Sequence, residues 1–180
     1  MSTAAPAPDK PVALPVALID FEASCLPEDG QSFPIEVALA RVDGRSASWL
    51  IRPLPAWQHW DWSAEAESLH GISRAMLAGE GQDPVEVLDQ IAAFVEGCDV
   101  YADAEVDVFW LDLLAHAVGR AAPFPVRYLG EYFTDRGYSR PQVVAALEEA
   151  KLRLPREHLA REDAKRLALT VRLLDESTAA

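Results

Sequence analysis

The sequence predicts an α/β fold: a mixed sheet with a three-strand antiparallel meander plus parallel strands, flanked by helices. Three observations predict it. The apolar run Pro15 to Glu22 (PVALIDFE) turns acidic at its C-terminal end, as a central strand delivering two carboxylates would. Two strand-like segments then flank Asp43-Gly44, a two-residue hairpin signal. From Asp83 onward the apolar spacing becomes helical, broken by one short apolar strand.

The elements follow in order. Pro34 to Val42 and Ser46 to Pro53 read as the second and third strands. Residues 54 to 62 (LPAWQHWDW) form an aromatic loop, and Ser63 caps a short helix through Leu69 that His70-Gly71 closes. Asp83 is the N-cap and Pro84 the first residue of an amphipathic helix carrying Val87, Leu88, Ile91, Phe94 and Val95. Val100 to Ala102 is a short buried strand, and Val106 to Val118 a helix with Phe109, Trp110, Leu113, Leu114 and Ala117 on its apolar side. Helices are expected at about Tyr128 to Arg136 and Pro141 to Arg153, and a long one from His158 to Asp175. Residues 1–12, rich in Ala and Pro, read as a flexible tail, leaving 13–180 as one domain.

Composition narrows the function. Lys and Arg number 16 against 29 Asp and Glu, a net charge of -13, which opposes a reader of duplex DNA or a binder of anionic membranes. It leaves room for a carboxylate-rich metal site. No apolar run approaches the ~18 residues of a membrane span. Cys25 and Cys98 lack metal-ligand spacing, so a reducing compartment, the cytoplasm, is expected. Residues 151–172 carry seven basic and three acidic side chains, a +4 segment in a remainder of -17. It reads either as a solvated helix face or as a polyanion contact.

Three acidic motifs are candidates for chemistry. In Asp20-x-Glu22, strand alternation puts both side chains on one face at the end of an apolar strand, where unpaired carboxylates are costly. About one such spacing is expected by chance, and Asp103-x-Glu105 repeats it, so context rather than spacing carries the argument. His158 is the only histidine followed by Asp five residues on, at Asp163. The two converge if His158 sits on the loop entering its helix, which Pro155 favours; otherwise His158 is a cap residue and Asp163 part of a paired helix face. Asp107 precedes an apolar helix, where a carboxylate also suits the helix dipole.

Together the motifs resemble the DEDDh (DnaQ-like, RNase H-fold) 3'-5' exonuclease superfamily. Ile19-Asp20-Phe21-Glu22, followed by Pro34-Ile35-Glu36-Val37, is similar to its first motif. Tyr101 to Leu111 resembles N-x-x-F-D-x3-L, with Asp103 for Asn and Val106 for Phe. His158 to Ala164 matches H-x4-D-A, and Leu69-His70-Gly71-Ile72 the H-G-I element. After Asp-x-Glu the family commonly has Thr-Thr-Gly, where this chain has Ala23-Ser24-Cys25. The resemblance spans about residues 14 to 175.

The resemblance implies an RNase H-like mixed five-stranded sheet and a metal-dependent 3'-5' exonuclease acting on single-stranded 3' ends of DNA or RNA. Asp20, Glu22, Asp107 and Asp163 would hold two Mg2+ or Mn2+ ions, and His158 would be the general base. Asp103 competes with Asp107, which the spacing to Leu111 favours. Ala23, Ser24, Cys25, Leu26, His70, Ile72 and Asp103 would contact substrate. Four hard carboxylates suit two divalent ions, and a histidine can take a water's proton near neutrality. Two such ions would move the net charge from -13 to -9, which favours short or single-stranded ends as partners. Phe33, Trp57, Trp60 and Trp62 are either base-stacking surfaces or packing of the long loop. The rivals are a nuclease-fold nucleic-acid-binding or scaffold module without turnover and a partner-dependent proofreading subunit. DNA against RNA, and monomer against homodimer, stay open.

Overall fold

A computed structural model describes residues 15–179; the Ala/Pro-rich segment 1–12 lies outside them. Five strands form one mixed sheet: β1 (Val16–Ala23), β2 (Pro34–Arg41), β3 (Ser46–Leu50), β4 (Asp99–Ala102) and β5 (Val126–Tyr128), in the order β3-β2-β1-β4-β5. β1 is central, antiparallel to β2 and parallel to β4; β2 and β3 pair antiparallel and β4 and β5 parallel. The hairpin turn is longer than its sequence signal. Arg41 N–H donates to Arg45 C=O at 2.8 Å and Gly44, at φ 96°, donates to Arg41 C=O, so Val42, Asp43 and Gly44 all lie in the turn.

Seven helices flank the sheet: α1 (Ala64–His70), α2 (Arg74–Glu80), α3 (Pro84–Phe94), α4 (Glu105–Ala117), α5 (Leu129–Asp135), α6 (Arg140–Arg153) and α7 (Ala160–Ala179). The caps read from sequence are made: Ser63 and Asp83 accept backbone N–H groups of α1 and α3, and Gly71 closes α1 at φ 73°. Among the described residues no helix is long and apolar enough to cross a membrane.

Alternation along β1 divides the core and aims the site. Ala17, Ile19 and Phe21 pack with α3 and α4 through Leu88, Ile91, Trp110 and Leu111. Val16 and Leu18 face the other way, onto α7 and α5. Asp20 and Glu22 continue that second series, so both emerge on the side that α7 covers. Buried Ala160, Ala164 and Ala168 along α7 let its backbone approach the sheet closely, bringing Asp163 with it.

Candidate active site

The carboxylates converge from β1, α4, α7 and the loop between β4 and α4. Asp20, Glu22 and Asp163 offer oxygens all within 4.8 Å of one another, and Asp20, Asp103 and Asp107 form a second such group. Asp20 is common to both. A register shift in the β1–β2 pairing between Glu22 and Ala23 turns the strand as it leaves the sheet. Asp107, 3% exposed in the first turn of α4, accepts the Phe21 N–H at 3.1 Å, which ties that helix to β1 between the other two acids. Asp163 is held by Leu159 N–H on Oδ2 at 3.2 Å and by the Arg166 guanidinium on Oδ1 at 2.6 Å.

Crowded carboxylates repel, and burial compounds this. Burial first, then the neighbouring acids Asp107 and Glu22, hold the Asp20 carboxyl well above its ordinary value. Burial, Glu36 and Asp163 push Glu22 up to about 8. Burial and Asp103 push Asp107 up to about 7. Such a cluster is favourable as an ionised set only with a cation among it. Its donors are all hard oxygens, with no thiolate or imidazole in either group, which suits a divalent ion of the Mg2+ or Mn2+ kind.

His158 lies on the loop before α7, where Pro155 ends the preceding helical run, and not inside the helix. At φ 60° it is the one non-glycine residue of left-handed backbone among those described. That conformation costs about 1–3 kcal/mol and persists where surrounding contacts fix it. His158 stands between two openings. A cleft of about 360 Å³ is lined by Asp20, Asp103, Glu157, His158, Asp163, Arg166 and Leu167. A cavity of about 440 Å³ has Glu22, Ala23, Cys25, Leu26, Leu69, His70 and Trp110 in its wall, again with His158. A smaller hollow of about 230 Å³ lies elsewhere, between the β2–β3 hairpin and α7, and contains none of these acids.

No family model matches the chain, and no curated protein sequence matches it. Solved structures do. A 3'-exonuclease described in 3'-end-specific recognition of a histone mRNA stem-loop superposes at TM-score 0.68 with 19% identity, over 90% of this chain and 64% of that one. A full-length 3'-exonuclease gives 0.66 at 21% identity, over 91% and 82%. The zinc-bound exonuclease I–ssDNA complex of E. coli gives 0.66 at 12% identity, over 93% of this chain and 42% of that one. The fold is that of these exonuclease structures. The chain therefore spans less than two thirds of the first of these proteins and under half of exonuclease I. The mixed five-stranded sheet that the resemblance implies is present, including β5.

Within this exonuclease fold, the residues expected around substrate separate into two groups. Ala23, Cys25, Leu26 and His70 line the 440 Å³ cavity. Ser24 and Ile72 do not. Ser24 is 1% exposed and its Oγ accepts the Phe33 N–H, holding the loop from inside; Ile72 belongs to the core, and its N–H donates to His70 Nδ1 at 3.0 Å. That bond leaves the proton on Nε2 of His70, and burial lowers the ring's basicity. Asp103 sits with the acids rather than in the cavity wall. Phe33 and Trp57 are buried and stacked at 5.6 Å, with Trp60 and Trp62 packed partly against them, so the aromatic loop is core packing.

The sequence places Trp110, Leu69, Glu36 and Arg166 in elements or motifs but not among the site residues. Trp110 lines the cavity and donates Nε1–H to Ser32 Oγ at 3.2 Å. Glu36 stands opposite Glu22 in the β1–β2 register. In the +4 segment, five of the seven basic residues (Lys151, Arg153, Lys165, Arg166 and Arg172) form ion pairs with nearby acids. Apart from Arg166, which is only 15% exposed and lines the acidic cleft, that is the arrangement of an internally compensated surface.

Proposed function

We propose that the protein is a metal-dependent 3'-5' exonuclease that removes nucleoside 5'-monophosphates from single-stranded 3' ends of DNA or RNA. The observation that carries this reading is the sharing of Asp20 between two carboxylate groups beside a cavity that His158 also lines. Asp20, Glu22 and Asp163 would hold one divalent ion, and Asp20 with Asp103 and Asp107 the other. Such a pair of ions supplies an activated water and stabilises charge on the leaving 3'-oxygen.

The chain's own residues do the rest. The cavity walled by Ala23, Cys25, Leu26, Leu69 and Trp110 receives the terminal nucleoside, with apolar surface against its base. An imidazole nitrogen of His158 takes the proton of the attacking water, which its place between cleft and cavity allows. Water oxygen bonds to phosphorus, the bond to the 3'-oxygen of the preceding nucleotide breaks, and the terminal nucleotide leaves as its 5'-monophosphate. The neutral His70 ring presents no charge to that product.

The test uses 3'-labelled single-stranded oligonucleotides with Mg2+ or Mn2+, comparing the wild type with Asp20→Asn and Asp163→Asn. Loss of activity by about a thousandfold or more in both is expected. Metal-dependent activity persisting in either highly purified variant overturns the assignment.

A further inference from the structure

We propose that Arg166 is a positioning residue that locks the loop carrying His158 to the carboxylate of Asp163. The inference rests on the exonuclease reading above and concerns how the acids and the base are kept in register. Arg166 lies one helical turn after Asp163 on α7 and lines the same cleft as Asp20, Asp103, His158 and Asp163. Its side chain is only 15% exposed.

One planar fork makes three hydrogen bonds to two separate pieces of chain. Nη1 donates to Asp163 Oδ1 at 2.6 Å, Nε donates to the Leu154 carbonyl at 3.1 Å, and Nη2 donates to the Arg156 carbonyl. An ordinary ion pair at this spacing explains the first bond alone. The two carbonyls belong to the segment between α6 and α7, immediately before His158. On the far side of His158, Leu159 N–H donates to the other Asp163 oxygen at 3.2 Å. The base is thus bracketed: its preceding residues reach Asp163 through Arg166, and its following residue reaches Asp163 directly.

The backbone of His158 needs such bracketing, because a non-glycine residue at φ 60° holds that conformation only when its neighbours fix it. The Lys151–Glu157 ion pair, at 2.6 Å, adds a second tie to the same loop. A lysine at 166 keeps the positive charge beside Asp163 but cannot present a fork to both carbonyls. Alanine removes both charge and fork. The two substitutions therefore separate electrostatic compensation from loop placement.

The experiment compares the wild type with Arg166→Lys and Arg166→Ala in three measurements. These are Mg2+ calorimetry, steady-state kinetics on a single-stranded oligonucleotide, and hydrogen exchange over residues 154–159. For Arg166→Lys, kcat should fall at least about tenfold with KM and Mg2+ affinity within about threefold of wild type. For Arg166→Ala, kcat should fall about a hundredfold while Mg2+ binds as tightly as before or tighter, since a competing cation has gone. Exchange at 154–159 should rise in both. Wild-type kcat in Arg166→Lys overturns the proposal, as does a parallel fall of Mg2+ affinity and kcat in both variants, or unchanged exchange. A wild-type protein without turnover fails the exonuclease reading instead, and the exchange measurement still decides whether Arg166 holds the loop.

Discussion

Replacing Asp107 with Asn should make the metal-free protein more stable while abolishing the metal-dependent hydrolysis proposed for it. Asp107 is 3% exposed, and burial with Asp103 pushes its carboxyl up to about 7. Its unfolded-state value is near the ordinary 3.8. The folded form therefore binds more protons than the unfolded form between these values, and stability falls as pH rises through that window. At ~1.36 kcal/mol per pH unit, holding Asp107 ionised in the metal-free fold costs at most about 4 kcal/mol. Asn keeps the shape and the oxygen that accepts the Phe21 N–H, and carries no charge. In EDTA at about pH 8 the Asp107→Asn variant should be more stable by about 1–4 kcal/mol, a Tm rise of roughly 3–12 °C for a domain of this size. Near about pH 4 the advantage should largely disappear, because the folded wild type is then protonated there. Millimolar Mg2+ should reverse the ranking by stabilising the wild type more. Thermal melts at both pH values, with EDTA and with Mg2+, provide the assay. A variant less stable than wild type in EDTA at the higher pH, or one with the same pH slope, refutes the electrostatic account.

Other residues give separate readouts. His158→Ala should lower kcat by about 10²–10⁴ with Mg2+ binding by calorimetry unchanged; a matching loss of metal affinity would mean that His158 supports the carboxylates instead. Leu26 and Leu69 are 49% and 54% exposed at the cavity mouth. Replacing both with Ala should raise KM for a single-stranded oligonucleotide about tenfold, the equivalent of about 1.4 kcal/mol, and barely move the melting temperature. An unchanged KM would remove that wall from the substrate site. Trp57→Ala, by contrast, empties a side chain that is 2% exposed and stacked on Phe33, and should cost about 3–5 kcal/mol in denaturant unfolding. A loss below about 1 kcal/mol would place the aromatic loop outside the core.

What the sequence revealed and what it concealed follow from the range of the interactions involved. β1 is legible because its apolar run ends in two acids, and α3 because Asp83 and Pro84 mark its start. β5 escapes notice: it is three residues long, Arg127 and Tyr128 are exposed, and its pairing to β4 is its only reason to be extended. Ser73 caps α2, but in its seven residues only Leu77 is buried and no periodicity develops to mark it in the sequence. The candidate acids could be named from motifs. Their grouping could not, because it depends on α7 approaching β1 over Ala160, Ala164 and Ala168. Asp103 and Asp107 compete in the sequence, and in the fold both join Asp20. Arg166 looked like one basic residue among seven, because hydrogen bonds to the Leu154 and Arg156 carbonyls leave no trace in a charge pattern.

The proposed function requires these carboxylates and His158 to release nucleotides from a 3' end. A 5'-labelled single-stranded oligonucleotide incubated with the wild-type protein and Mg2+ or Mn2+, then resolved by length, tests it most directly. A ladder shortening one nucleotide at a time from the 3' end is expected, with 5'-monophosphates as product and no ladder in EDTA. Intact oligonucleotide from a chain that binds divalent ions would contradict the proposed function and leave a nucleic-acid-binding module in its place.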